Sequence, residues 1–308
     1  MNNQSIIGWL VEGDVSIQYQ VQRDLLGTER PDLQQRIAKE GWGAAFLAAR
    51  KPDGYWSERF YQPKWISAHY TLLDLKNLSI EPDNPLIGES LDRIFHEEKS
   101  EDGGINPANS IAQSDVCVNG MALNYAAYFK VDEDQLKSVI DFLLSQHMPD
   151  GGFNCRSNRS GARHGSMHST LSVLEGLLEY EQNHYAYRPD EVRKAKDAAE
   201  EFLLMHRLFL SDRTGKVIQE RFLRFPFPCR WYYDILRAMD YFRISGRPYD
   251  FRMNEAIEII QKKQTPEGKW KLSAPYSGKM HFVMEQAGKP SRWNTLRALR
   301  VLKYAEKP

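Results

Sequence analysis

The sequence predicts an all-α protein: a closed (α/α)6 toroid of six inner and about five to six outer helices, forming a single domain over residues 1–308. Three observations carry this: a turn motif recurring at near-regular spacing, amphipathic segments of two kinds, and no strand-like alternation to compete with them. The turn reads Asp53-Gly54-Tyr55-Trp56, Asp102-Gly103-Gly104-Ile105, Asp150-Gly151-Gly152-Phe153 and Glu267-Gly268-Lys269-Trp270, with a degenerate copy at Asp212-Arg213-Thr214-Gly215-Lys216-Val217. The glycine permits a positive φ and the acid can bond nearby backbone N–H groups. The apolar residue that follows is expected to plug the gap between successive helices.

The outer helices are the charged, one-sided stretches 32–49, 84–98, 132–146, 189–210 and 250–264, each with a wet face. Inner helices are expected at 14–26, 62–78, 112–129, 166–182, 229–245 and 291–305, where apolar and small residues dominate. Two of them share a pattern, Ser67-Ala68-His69-Tyr70-Thr71-Leu72 and Ser166-Met167-His168-Ser169-Thr170-Leu171. Closure of the ring accounts for the lack of polar capping repeats, which an open solenoid needs. The long aromatic and basic loops 212–228 and 272–290 are expected to fold over one end of the barrel.

Composition narrows the function. Lys+Arg and Asp+Glu stand at 41 each, so there is no basic excess for nucleic acid or anionic membranes. The first residues lack the charged-then-apolar order of a signal peptide, and no apolar run reaches the roughly 18 residues of a membrane span. Three widely spaced cysteines, Cys117, Cys155 and Cys229, read as free thiols of a cytoplasmic protein.

The amino-terminal ends of the inner helices would line the mouth of the toroid. They bring polar and aromatic residues together, which suits a small-molecule or lipid-like substrate. Within that set, Asp115, Cys117 and His168 form an oxygen, sulfur and nitrogen donor group that zinc accepts, with one position left open. Residues two apart diverge on a helix, so Asp115 and Cys117 could share a metal only with Asp115 at or before the helix start. The alternative is a helix cap, a buried thiol and a packing histidine.

The stretch 101–180 resembles the zinc-bearing part of the β-subunits of protein prenyltransferases, in the superfamily they share with squalene and other terpenoid cyclases. The resemblance lies in Asp115-Val116-Cys117 at an inner-helix start, the Gly151-Gly152-Phe153 turn, and His168 about fifty residues on. It implies the toroid, and zinc on Asp115, Cys117 and His168. The chain departs from that family at Asn109 and Ala112, where a basic pair grips diphosphate, and at Val118, where an aromatic is expected. It has no segment like the family's helical-repeat α-subunit, so no such partner is indicated. The acid motif of the cyclases, Asp-x-Asp-Asp, is missing, and Asp132-Glu133-Asp134 reads as helix capping.

Three functions follow. One is a zinc-dependent transferase acting on a thiol or isoprenoid-like substrate, with zinc presenting the thiolate. Its substrate contacts would come from Trp65, His69, Arg163, His164, Arg230, Trp231, Tyr233, Arg292 and Trp293. The second is a non-catalytic binder of an apolar ligand on the same rings. The third is a divergent terpenoid cyclase, for which His69, Asp234 and Glu175 are candidate acids by location.

Overall fold

The computed structural model describes residues 3–106, 111–156 and 160–306. The chain is mostly helical and divides into two compact units interleaved in sequence. One consists of Met1–Ala49, Asn77–Glu81 and Leu204–Pro308; the other of Arg50–Lys76 and Pro82–Leu203.

The second unit holds α5 (Ala68–Asn77), α6 (Pro85–Glu97), α7 (Val116–Tyr128), α8 (Glu133–Ser145), α9 (Met167–Gln182) and α10 (Pro189–Met205). Local chemistry sets several starts. Asn84 caps α6 through its side chain, with Pro85 at the first helical position, and Asp132 caps α8. Helices α7 and α9 are buried along almost their whole length and lie against each other. Their crossing is backbone to backbone. A Cβ added at Gly120 would stand 2.6 Å from the Ser172 carbonyl oxygen, and one at Gly176 would stand 2.4 Å from that of Gly120.

The first unit holds α1 (Asn3–Val11), α2 (Val15–Gln20), α3 (Pro31–Ile37), α4 (Gly41–Ala48), α11 (Ile235–Ser245), α12 (Asn254–Lys262) and α13 (Arg292–Ala305). Arg300 of α13 reaches Asp24 at 2.9 Å and Gln20 at 3.1 Å, and also pairs with Asp240 of α11. Burial pushes the Asp240 carboxyl up, but Arg300 and Arg243 outweigh it and hold the pKa far below the usual range.

The expected helices are present, with corrections at their ends. Helix α1 is additional to them. The stretch 14–26 closes in a π-turn, Val21–Leu26, and 32–49 breaks into α3 and α4 around Gly41, whose φ is +59°. Inner helices begin later than periodicity suggests, at Ala68, Val116 and Ile235. Asp115 and the run Trp231-Tyr232-Tyr233 therefore precede their helices. The loop 272–290 is closed at its base by a two-residue ladder, β1 (Trp270–Lys271) antiparallel to β2 (Pro290–Ser291). No helix among the described residues is long and apolar enough to cross a membrane.

The recurring turn has one geometry. Gly54, Gly103, Gly151 and Gly268 have φ of 87°, 86°, 86° and 73°. Their amides bond the carbonyls of Lys51, Ser100, Met148 and Thr265 at 2.8 to 3.0 Å. The degenerate copy also closes, by a 2.8 Å bond from Gly215 to Ser211. In three copies one oxygen of the acid takes an amide within the turn, from Tyr55, Gly104 or Gly152. In the last two the other takes the amide two residues before the next inner helix, Ser114 for Asp102 and Gly165 for Asp150, both at 2.7 Å.

The plug residue is bracketed by the helix that follows it. Ile105, Phe153 and Trp270 are fully buried, and each donates its amide to the fourth residue of the next inner helix. The acceptors are Asn119 (2.7 Å), Thr170 (2.9 Å) and Thr295 (3.1 Å). Asn119 and Thr170 also donate back to the plug's carbonyl, at 3.0 and 3.3 Å. Each bracket satisfies backbone that the turn would otherwise bury unpaired.

Thr170→Val keeps the side-chain shape but leaves the Phe153 amide buried without an acceptor, and is expected to cost about 1–3 kcal/mol. Thr170→Ser keeps the hydroxyl and should cost less. Urea unfolding of both variants checks this; no loss in Thr170→Val would mean that the bond does not matter.

Candidate functional site

Two clusters gather reactive side chains, one in each unit. In the second unit Asp115 occupies the position before α7 with extended backbone, as sharing a ligand with Cys117 requires, and its side chain does not cap the helix. The group that meets Cys117 is Cys155, two residues beyond the Phe153 plug. The Cys155 sulfur accepts the Cys117 amide at 3.1 Å and the Ser169 hydroxyl at 3.4 Å. The Cys117 thiol donates to the same sulfur, which lowers the Cys155 pKa and holds Cys117 well above the ordinary thiol range. Among the described residues no three His, Cys, Asp or Glu side chains are placed to hold a metal ion. Asp115, Cys117 and half-buried His168 are thus not gathered into one such group among the described residues. Asn109, one of the two uncharged positions of the family comparison, lies outside the described residues; Ala112 is exposed.

Beside this cluster His69 is fully buried among Phe60, Tyr61, Tyr70 and Tyr125, at ring separations of 4.8 to 5.7 Å. Its Nδ1 lies 3.3 Å from the Tyr125 hydroxyl, and its Nε2 has no hydrogen-bond partner. Burial, with help from Lys64, pulls its pKa down to about 3. The ring is therefore neutral at ordinary pH and has no proton to give. Trp65 is packed edge-on against Tyr70. Arg163 and His164 are exposed; His164 lies 3.8 Å from Asp150 in solvent.

The second cluster lies in the first unit, where the loop ending at Asp234 meets α13. Asp234 is 1% exposed; its Oδ1 caps α11 through the Arg237 amide at 2.8 Å, and its Oδ2 has no partner. Arg297 of α13 approaches Oδ1 at 3.7 Å, is itself buried, and leaves Nη1 unpartnered. Burial raises the Asp234 pKa against the opposing pull of Arg297, the Arg237 amide and the Cys229 thiol. The Cys229 thiol in turn is pushed up to about 12 by burial.

Aromatic rings surround these groups. Tyr232 stacks between Trp231 (3.9 Å) and Tyr276 (3.5 Å), and Trp293 between Phe227 (4.6 Å) and Trp42 (6.1 Å). Trp293 is 1% exposed with its indole N–H unpartnered. Buried polar atoms without partners are uncommon in folded proteins, and Asp234 Oδ2, Arg297 Nη1 and Trp293 Nε1 are three of them. The loop 272–290 is held by Glu285, which accepts from the Ser291 hydroxyl and Arg292 amide at 2.5 and 2.6 Å. His281 of that loop packs edge-on against Phe46, and burial together with Arg230 lowers its pKa to about 4.

Of the predicted substrate contacts, Arg230, Trp231 and Trp293 belong to this cluster. Tyr233 is a packing residue whose hydroxyl bonds the Leu208 carbonyl, and Arg292 ties α13 to α1 through the Trp9 carbonyl at 3.0 Å. Cys155, Cys229, Tyr276 and Arg297 are not among the predicted site residues. Arg297 had a signal: Arg297 and Arg300 interrupt an apolar inner helix, and Asp234 and Asp240 interrupt another.

No protein-family model matches the chain, and no curated protein does. Among solved structures it is similar to a variant of the type II terpene cyclase MstE from Scytonema, in complex with merosterolic acid A, at 13% identity. The alignment covers 89% of this chain and 96% of that one, with a TM-score of 0.36. That likeness is loose and assigns no function.

A histidine with a depressed pKa makes stability depend on pH in a defined direction. Unfolded His69 binds a proton below its ordinary value of 6.5, whereas folded His69 resists protonation down to about 3. Its contribution is complete above the first value and is lost as pH falls through that window. His69→Gln should flatten the decline of urea stability across the window, and an unchanged slope would show that His69 charges without opposition.

Proposed function

We propose that the chain is a terpenoid-cyclase-like acid catalyst acting on an apolar, alkene-bearing substrate, with Asp234 as the proton donor. The observation that carries this reading is the Asp234 carboxyl: buried, with a raised pKa and one unpartnered oxygen, against a group of aromatic rings. Of the three candidate acids, His69 is neutral, and Glu175 is a half-buried side chain of α9.

In the proposed step Asp234 gives its proton to one alkene carbon, leaving a carbocation on the other and a carboxylate on the enzyme. Arg297 stabilises that carboxylate, so it strengthens the acid without touching the substrate. The outer faces of Trp231 and Tyr276, at the two ends of the Tyr232 stack, can stabilise the migrating positive charge, at about 0.5–2 kcal/mol per desolvated contact. Loss of a proton from the final cation back to the Asp234 carboxylate closes the cycle, so the product is an isomer of the substrate.

The finer architecture, one (α/α)6 toroid over residues 1–308, belongs to the same proposal and draws its support from the repeated turn and bracket. So does a cytoplasmic location, which rests on three unpaired cysteines. Zinc on Asp115, Cys117 and His168 is a separate proposal that the placement of Asp115 favours; metal content of the purified protein tests it.

The test is incubation with linear polyprenoids (squalene, its terminal epoxide and prenyl diphosphates) and a search for isomeric cyclic products by gas chromatography and mass spectrometry. Asp234→Asn should abolish turnover while leaving the fold intact. The rate of the wild type should fall as pH rises through the raised Asp234 pKa, because the acid form is needed. Full activity in Asp234→Asn would sink the assignment.

A further inference from the structure

We propose that Cys117 and Cys155 are a reversible dithiol–disulfide pair that exchanges with small-molecule disulfides. The argument is geometric and independent of the function proposed above. Two donors converge on the Cys155 sulfur: the Cys117 amide at 3.1 Å and the Ser169 hydroxyl at 3.4 Å. The Cys155 amide in turn bonds the Ser169 hydroxyl at 3.3 Å, so Cys155 is tethered to α9 while Cys117 rides on α7. The glycine crossing of Gly120 and Gly176 fixes those two helices against each other, and the Phe153 bracket fixes the chain two residues before Cys155. Two cysteines from distant parts of the sequence are thus held side by side, the sulfur of one on the backbone amide of the other. Disulfide formation needs side-chain rotation and a small approach, not refolding. Both residues are half-buried, not sealed in the core.

Cys155, held from two sides by the start of α7 and by Ser169, is taken as the attacking group. Its sulfur attacks one sulfur of the oxidant RSSR; the RS–SR bond breaks, RS⁻ leaves, and a mixed disulfide forms. Cys117 then loses its proton to solvent and attacks the Cys155 sulfur, expelling the second RS⁻. Two protein thiols are oxidised, one RSSR is reduced, and two RSH are released after protonation. The new bond ties the start of α7 to the segment after the plug.

The experiment treats the folded full-length protein with oxidised glutathione, then denatures, alkylates and counts free thiols by mass spectrometry. Of the three thiols, one is expected to remain, Cys229, with a cross-linked peptide pair containing Cys117 and Cys155, reversed by dithiothreitol. Cys117→Ser should stop at the glutathione adduct of Cys155, and Cys155→Ser should leave Cys117 unmodified. Retention of all three thiols by the folded wild type, or a cross-link through Cys229, would overturn the proposal. So would about one zinc per chain in the purified protein that is lost in both serine variants, because the two sulfurs would then be metal ligands.

Discussion

The bracket between a turn's plug residue and the fourth residue of the next inner helix is the constraint on which the rest depends. A helix pair joined through a tight glycine turn buries the backbone of the residue that fills the gap, and buried amides must be paired. Asn119, Thr170 and Thr295 pair them from inside the helix that is about to begin. The same contact therefore sets the depth of the plug, the entry of the helix and the position of the residues between them. Both reactive clusters are neighbours of such brackets. Cys155 follows the Phe153 plug, and Trp293 and Arg297 flank Thr295 on α13.

Much of the helical framework was readable because it rests on local rules. Glycine at positive φ, an acid two residues before the amide it accepts, and one-sided hydrophobic periodicity each act over a few residues, and all appear where expected. The helix ends were less legible. Gly41 divides a stretch whose periodicity alone runs on unbroken, and residues 229–234 have the composition of a helix but form the approach to one. Closure of that approach depends on Asp234 capping α11 and on Arg237 donating to the carbonyls of Arg230 and Tyr232, which no pattern within the segment announces.

The candidate sites show the same division. Asp115 and Cys117 were legible as a pair because they are close in sequence, and Asp115 precedes α7 with extended backbone. Their neighbour Cys155 was not legible, because its approach depends on a glycine crossing between helices more than fifty residues apart in sequence. Asp234 could be named only by location. The groups that act on it come from elsewhere in the chain: Tyr276, from a loop of no regular period, and Arg297, from another helix.

The interleaving of the two units bears on how the chain is made. Residues 50–203, apart from a short excursion, form a unit that is complete in sequence before its companion can close. The companion joins the first 49 residues to segments beginning at Leu204, through contacts such as Arg292 to Trp9 and Arg300 to Asp24, 283 and 276 residues apart. At translation rates of about 5–20 residues per second, the opening segment waits roughly ten seconds or more for those partners to emerge. During that interval the apolar faces of α1 to α4 have no α13 to cover them.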